Sequence, residues 1–236
     1  VINAGLGEEL AGRLGRKGIS LAYAEDLIGE IWEDRPPLPA SPVWILEEQY
    51  AGRSAADKMA ELRKKMEELH ASVHILTTLD DIVWLLNIRG ADIPCNPVVL
   101  SYLAVTRSQA YLYISQDAVL EPVAAYLSGL GVTLRPYGEI YSYVQSLKGE
   151  SVLLEKAKVN YTILRSLDGS NQIIDRMNPT VIKKACKNPV ELENMKAAHI
   201  KDGVAVTKFI YWVKQNIGKL PMDECSVAEY LEKLRR

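Results

Sequence analysis

The stretch Val98-Val99-Leu100-Ser101-Tyr102-Leu103-Ala104-Val105-Thr106, then Arg107-Ser108-Gln109, then Ala110-Tyr111-Leu112-Tyr113-Ile114-Ser115, decides the architecture of this chain. Both runs are rich in β-branched, aromatic and aliphatic residues, which suit a pleated and largely buried strand. The link between them is too short for a crossover, so the two strands must be antiparallel neighbours joined as a hairpin. Around the hairpin, Val73–Thr77, Val83–Ile88, Val132–Pro136 and Ser151–Leu154 read as further short strands, set apart by turn signals or helical patterns. A hairpin embedded in such an alternation predicts an α/β fold with a mixed β-sheet flanked by helices.

Moving outward, Ser54 offers a helix cap with Asp57 three residues on, and Met59, Leu62, Met66 and Leu69 follow at helical spacing. Upstream, Val1-Ile2-Asn3 reads as the end of a strand and Glu8–Gly18 as a short helix closed by glycine, so the chain is expected to open mid-domain. A first boundary falls in Arg35-Pro36-Pro37-Leu38-Pro39-Ala40-Ser41-Pro42, where fixed φ values and missing N–H donors forbid helix and central strand alike. A second falls between Asn178-Pro179 and Asn188-Pro189, where Asn188 can cap, Pro189 suits the first helical turn and Glu191 completes a capping box. From there Leu192, Met195, His199, Val206, Phe209, Val213 and Ile217 keep a helical period up to Gly218, and a further helix from Ser226 carries Val227, Tyr230, Leu231 and Leu234.

Composition excludes several function classes. The 236 residues are 48% hydrophobic, enough for a packed core, and 28 basic against 30 acidic residues leave a formal charge of -2. The densest basic cluster, Arg63-Lys64-Lys65, is flanked by Glu61, Glu67 and Glu68, which marks a solvated helix face and gives no reason to expect nucleic acid. Cys95, Cys186 and Cys225 are odd in number and far apart, so neither a disulfide framework nor a zinc finger is implied, and a reducing, cytoplasmic setting fits. No run approaches the ~18 apolar residues of a membrane span, and no membrane partner is expected. The triplet Asn160-Tyr161-Thr162 has glycosylation spacing, which arises readily by chance.

The search for chemistry is mostly negative. The sequence has no HExxH, P-loop or GxSxG pattern, and Gly5-Leu6-Gly7 is followed by glycine only at Gly12, which breaks dinucleotide spacing. Each of the three histidines has an ordinary reading: His70 closes a helix, His74 alternates with Val73 and Ile75 and is expected to face solvent, and His199 lies on an apolar stripe as a hydrogen-bonded, buried or half-buried side chain. Asp80 and Asp81 read as caps of a helix start. The densest polar segment is Asn87-Ile88-Arg89-Gly90-Ala91-Asp92-Ile93-Pro94-Cys95-Asn96-Pro97, a loop between apolar runs of the kind that carries function on a rigid sheet, or in which Arg and Asp merely pin a turn. No catalytic or metal-ligating residue emerges.

The run Asp80-Asp81-Ile82-Val83-Trp84-Leu85-Leu86-Asn87-Ile88-Arg89-Gly90-Ala91-Asp92-Ile93-Pro94-Cys95-Asn96-Pro97-Val98 resembles the middle domain of three-domain Xaa-Pro aminopeptidases, as do Leu27–Pro36, Lys156–Tyr161 and Ala198–Phe209 in order and spacing. The resemblance implies that residues 1–42 end a first creatinase-like N-terminal domain, that 43–187 form a complete second one, and that 188–236 supply the first helices of a truncated pita-bread catalytic domain. It also implies a parent metallopeptidase, a hydrolase that removes the N-terminal residue before proline and that uses two divalent metals, usually manganese. Their ligands, two Asp, one His and two Glu, have no counterpart in these residues, so this chain is expected to hold no cofactor and to be inactive alone. Proline-containing peptides and a homodimer are the implied partners. Where the family usually carries an aromatic residue or His, this sequence has Cys95. What carries over is a role for Arg89, Asp92 and Asn96 in shaping an entrance that limits peptide length. The competing expectation is a stand-alone creatinase-like interaction or dimerisation module without catalysis. The apolar stripe on the helix from Pro189 is expected to seek a partner, either the helix from Ser226, the middle domain or, above all, a second copy.

Overall fold

A computed structural model describes residues 2–23 and 25–236. In chain order the helices are α1 (Ala4–Gly15), α2 (Leu27–Ile31), α3 (Glu48–Ala51), α4 (Ala55–Glu68), α5 (Leu79–Leu86), α6 (Glu121–Gly129), α7 (Ile140–Ser146), α8 (Tyr161–Ser166), α9 (Thr180–Ala185), α10 (Pro189–Asn216) and α11 (Glu224–Arg235). The strands are β1 (Trp44–Ile45), β2 (Val73–Leu76), β3 (Ile88–Arg89), β4 (Ser101–Thr106), β5 (Ala110–Ile114), β6 (Val132–Pro136), β7 (Ser151–Leu154) and β8 (Gln172–Asp175). The described residues divide into two compact units, one holding the chain up to Glu48 and Arg53–Cys186, the other Gln49–Gly52 and Lys187–Arg236.

The first unit is built on a mixed sheet in the order β6-β5-β4-β2-β7-β8. The expected hairpin is there: β4 and β5 run antiparallel, with Leu103 opposite Leu112 and Val105 opposite Ala110. The β5–β6, β2–β7 and β7–β8 pairs are parallel, so helices must cross over, and they cover both faces of the sheet. On one face Met59, Leu62 and Met66 of α4, Leu85 and Leu86 of α5, and Leu127 of α6 pack on Leu76, Leu103 and Leu112. On the other, Ala4 of α1, Ile140 and Val144 of α7, and Ile163 of α8 pack on Val73, Ile75, Ala104 and Val152. Burial of some forty apolar side chains at roughly 25 cal/mol per Å² is the main favourable contribution to folding.

Several sequence expectations need correction. The run Val83–Ile88 is not a strand: Leu79–Leu86 is helical, Asn87 ends the helix in the left-handed region at φ 50°, and only Ile88–Arg89 is extended, pairing with Trp44–Ile45. A short all-apolar run does not distinguish a buried helix from a buried strand. The edge strand β8, polar at both ends, passed unnoticed in the sequence. His74 does not face solvent; it is 1% exposed, because β2 lies inside the sheet with both faces covered. Of the expected strand end Val1–Asn3, Val1 lies outside the described residues, and Asn3 bridges to Asn160 and caps α1 through its side chain.

In the second unit, Asn188 accepts from the Glu191 N–H while Glu191 accepts from the Asn188 N–H, the expected capping box at the start of α10. The α11 helix folds back along α10: Trp212 stacks on Tyr230 at 3.9 Å, and Arg235 pairs with Asp202 at 2.7 Å. Val206, Phe209 and Val213 are thereby half-buried, so part of the stripe finds its partner in the following helix. His199 is fully on the exposed side of α10, against the expectation of a buried or half-buried histidine.

Candidate functional site

The loop 89–97 leaves the C-terminal end of α5 and β3 and returns to β4. Gly90 lies so close to the returning chain that a Cβ there would stand 2.1 Å from Val99 Cγ1, which accounts for glycine at this point. Arg89 is half-buried, and its Nη1 donates to the carbonyls of Val83 at 2.9 Å and Ile88 at 2.8 Å. Its guanidinium thus ties the last turn of α5 to the start of β3.

Asp92 does more. Its Oδ1 accepts the N–H of Ser41 and its Oδ2 the N–H of Leu100, both at 2.8 Å, so one carboxylate ties the proline-rich segment to the approach of β4. Asn96 is exposed; its N–H donates to Ile93 O at 3.1 Å and its carbonyl accepts from Val98 N–H at 2.8 Å. Cys95 between them takes a left-handed φ of 61°, uncommon for a side chain with a Cβ. The three residues singled out by sequence therefore share one loop without converging on a common point. Arg89 and Asp92 form its anchors, and the tip Ile93–Pro97 is what it presents to solvent. Both anchor side chains are spent on backbone groups around the loop.

Sequence reasoning missed a buried polar network at the C-terminal ends of β2 and β7. The Nδ1–H of His74 donates to Leu153 O at 2.9 Å, and Asn178 Oδ1 stands 3.3 Å from its Nε2. Asn178 Nδ2 donates to Asp81 Oδ2 at 3.0 Å, Thr78 donates to the same oxygen, and Lys184 Nζ lies 2.9 Å from Asp81 Oδ1. Burial pushes the His74 imidazole below its ordinary value and so favours the neutral ring. Burial works against the Lys184 charge too, but the adjacent Asp80 and Asp81 outweigh it and hold the ammonium above its usual range. Asp81 is thus a buried ion-pair partner rather than a helix cap. The only signal in the sequence was the adjacent pair Asp80-Asp81, and no periodicity connects it to its partner Lys184. The network fastens α5 and α9 to the sheet.

Among the described residues no three His, Cys, Asp or Glu side chains gather where one metal ion could bind. The donor set present does not fit a metal centre. No described helix is long and apolar enough to cross a membrane.

The profile of the creatinase/prolidase N-terminal domain matches residues 34–191. A probable Xaa-Pro aminopeptidase P from Sordaria macrospora is 33% identical over 250 aligned positions that take in 100% of this chain and 41% of the relative. One from Penicillium rubens is 36% identical and is covered over 40% of its length. The crystal structure of X-prolyl aminopeptidase from Caenorhabditis elegans, described as a cytosolic enzyme with a di-nuclear active site, superimposes with a TM-score of 0.88 at 29% identity over 99% of this chain and 39% of that one. The chain therefore spans about two-fifths of the length of the curated relatives it matches.

Proposed function

Because the chain belongs to the creatinase/prolidase N-terminal domain family, we propose that it is the non-catalytic forepart of a metal-dependent Xaa-Pro aminopeptidase. The observation that carries this reading is the coverage: relatives named for that activity match the whole of this chain with two-fifths of their own length. In this reading residues 1–42 end a first creatinase-like domain, 43–187 form the second and 188–236 begin the catalytic domain. The parent is a cytosolic homodimer that acts on proline-containing peptides with two metals, taken to be manganese, held by residues other than those described here.

The share of the work that falls to this chain is positional. Arg89 and Asp92 fix the base of the loop, and Asn96 at its tip meets the peptide at the active-site entrance and limits its length. No bond is broken by these groups; they orient and exclude.

The test joins the chain to its reading frame. A full-length product that continues into an Asp, Asp, His, Glu, Glu set and, loaded with Mn²⁺, cleaves Xaa-Pro peptides supports the proposal, whereas the 236-residue chain alone should bind no stoichiometric metal and cleave nothing. In the full-length enzyme Asn96→Trp should raise KM for long peptides while leaving that for dipeptides unchanged. A natural stop codon after Arg236, or Xaa-Pro cleavage by the isolated chain, would overturn the reading in favour of a stand-alone module or a different catalytic apparatus.

A further inference from the structure

On the sheet face that α7 covers, the edge strand β6 sets Thr133 beside Tyr111 and Arg135 beside Tyr113, and both β6 residues are exposed. Between β6 and α7 lies a cavity of about 450 Å³, within the ~300–1,000 Å³ usual for sites that hold a small molecule. Its lining belongs wholly to 43–187, the segment proposed above as one entire domain.

The bed of the cavity is aromatic. The ring of Tyr143, on α7, stands 5.5 Å from that of Tyr111 and 5.9 Å from that of Tyr113 between centroids. The three hydroxyls differ in what they touch. Tyr111 donates to Gln109 Oε1, whereas those of Tyr113 and Tyr143 have no hydrogen-bond partner among the described residues. Tyr113 is only 2% exposed, yet its unpartnered oxygen is not sealed in the core, so it opens on the cavity that the residue lines. Burial pushes the Tyr113 phenol above its ordinary value and that of Tyr143 up to about 12, so both keep their protons at neutral pH. A donor held from bulk water without a partner is a cost that a bound acceptor removes.

Two full charges stand at the rim. Arg135 lies over the Tyr111 ring at 5.9 Å, and Glu139 ends the short turn that leads into α7. Neither has a salt-bridge partner among the described residues, and they do not pair with each other. An anion alone would meet Glu139, and a cation alone would meet Arg135. Opposite charges held apart over an aromatic bed match a ligand that carries both signs.

We propose that this cavity binds a small zwitterion with an apolar or aromatic side chain, a free α-amino acid. Its carboxylate meets the Arg135 guanidinium and the Tyr113 hydroxyl, its ammonium meets Glu139, and its side chain lies on the rings of Tyr111 and Tyr143. Arginine suits the first role because its planar fork offers a carboxylate two parallel N–H donors. The inference does not rest on the peptidase reading and uses no residue of the loop 89–97.

The probe is L-phenylalanine, titrated into the full 236-residue chain by calorimetry beside L-phenylalaninamide, which lacks the carboxylate, and N-acetyl-L-phenylalanine, which lacks the ammonium. The zwitterion is expected to bind saturably below ~1 mM, and each analogue at least about 10-fold more weakly, as loss of one charged contact requires. Arg135→Gln should remove the advantage over the amide and keep that over the N-acetyl compound; Glu139→Gln should do the reverse. Both positions are exposed, so the fold tolerates the change, and a crossed pattern of this kind cannot come from misfolding. Tyr113→Phe keeps the ring and should weaken the zwitterion about 5-fold or more with unchanged thermal unfolding. Absence of saturable binding up to ~10 mM overturns the proposal. Analogues that bind as well as the zwitterion, or variants that weaken all three ligands alike, overturn it too.

Discussion

Replacing Asp92 with Ala removes one acceptor from each of two backbone N–H groups fifty-one and eight residues away in the chain. A hydrogen bond to a charged group contributes about 1.5–3 kcal/mol, and Ser41 and Leu100 are half-buried, so water replaces part of what is lost. The expected cost is about 2–4 kcal/mol, a large fraction of a typical ~5–15 kcal/mol of total stability, and a fall in Tm of roughly 5–15 °C. Asp92→Asn keeps one carbonyl oxygen and should cost about half as much. Urea titration gives the free energies, and brief protease treatment should show cleavage near 35–42 appearing first in the alanine variant, where the proline-rich segment has lost its tether. If Asp92→Ala lies within ~0.5 kcal/mol of the parent, or the segment stays protected, the carboxylate does not hold the loop and its role as an anchor is wrong.

Three further outcomes are expected. Gly90→Ala should destabilise by about 1–3 kcal/mol through overpacking on Val99, and Val99→Ala in the same chain should recover part of that loss, a coupling visible only in the double variant. Because His74 is held below its ordinary value by burial, the unfolded chain takes up a proton below about pH 6.5 that the folded chain refuses. Stability should accordingly be full above that pH and decline as the pH falls through the window beneath it, with the slope reduced in His74→Gln; an identical slope in that variant would place the proton uptake elsewhere. Lys184→Met should strand the Asp81 carboxylate in a dry site at a cost of about 2–4 kcal/mol, and adding Asp81→Asn should restore most of it in the same denaturation assay.

The α/β class and the hairpin were legible because Val98–Ser115 leaves no alternative geometry, and the caps at Ser54 and Asn188 were legible because capping is a local matter of four residues. What resisted reading was everything set by distant chain. Val83–Leu86 becomes a helix because the space it fills is bounded by α4 and the sheet, and His74 is buried because β7, far along the sequence, takes its place beside β2. The candidate loop was found by its density of Arg, Asp, Asn, Gly and Pro, but the use of Arg89 and Asp92 as backbone anchors depends on partners at Val83, Ser41 and Leu100, two of which no periodicity links to them. The network around Asn178 joins residues up to 104 positions apart, beyond the reach of any pattern.

The placement of β2 between β4 and β7 also bears on how the protein is made. Its antiparallel neighbour follows within thirty residues, but its other edge stays open until Ser151–Leu154 has been synthesised, and the N–H of Ala4 finds its acceptor only at Val159. At ~5–20 residues per second of translation, the first helix and the central strand wait on the order of ten seconds on the ribosome with apolar surface and an unpaired edge in water. A nascent chain in that state is a natural client for holding factors. Synonymous changes that slow translation between residues 110 and 150 should lower soluble yield without altering a single contact of the finished fold.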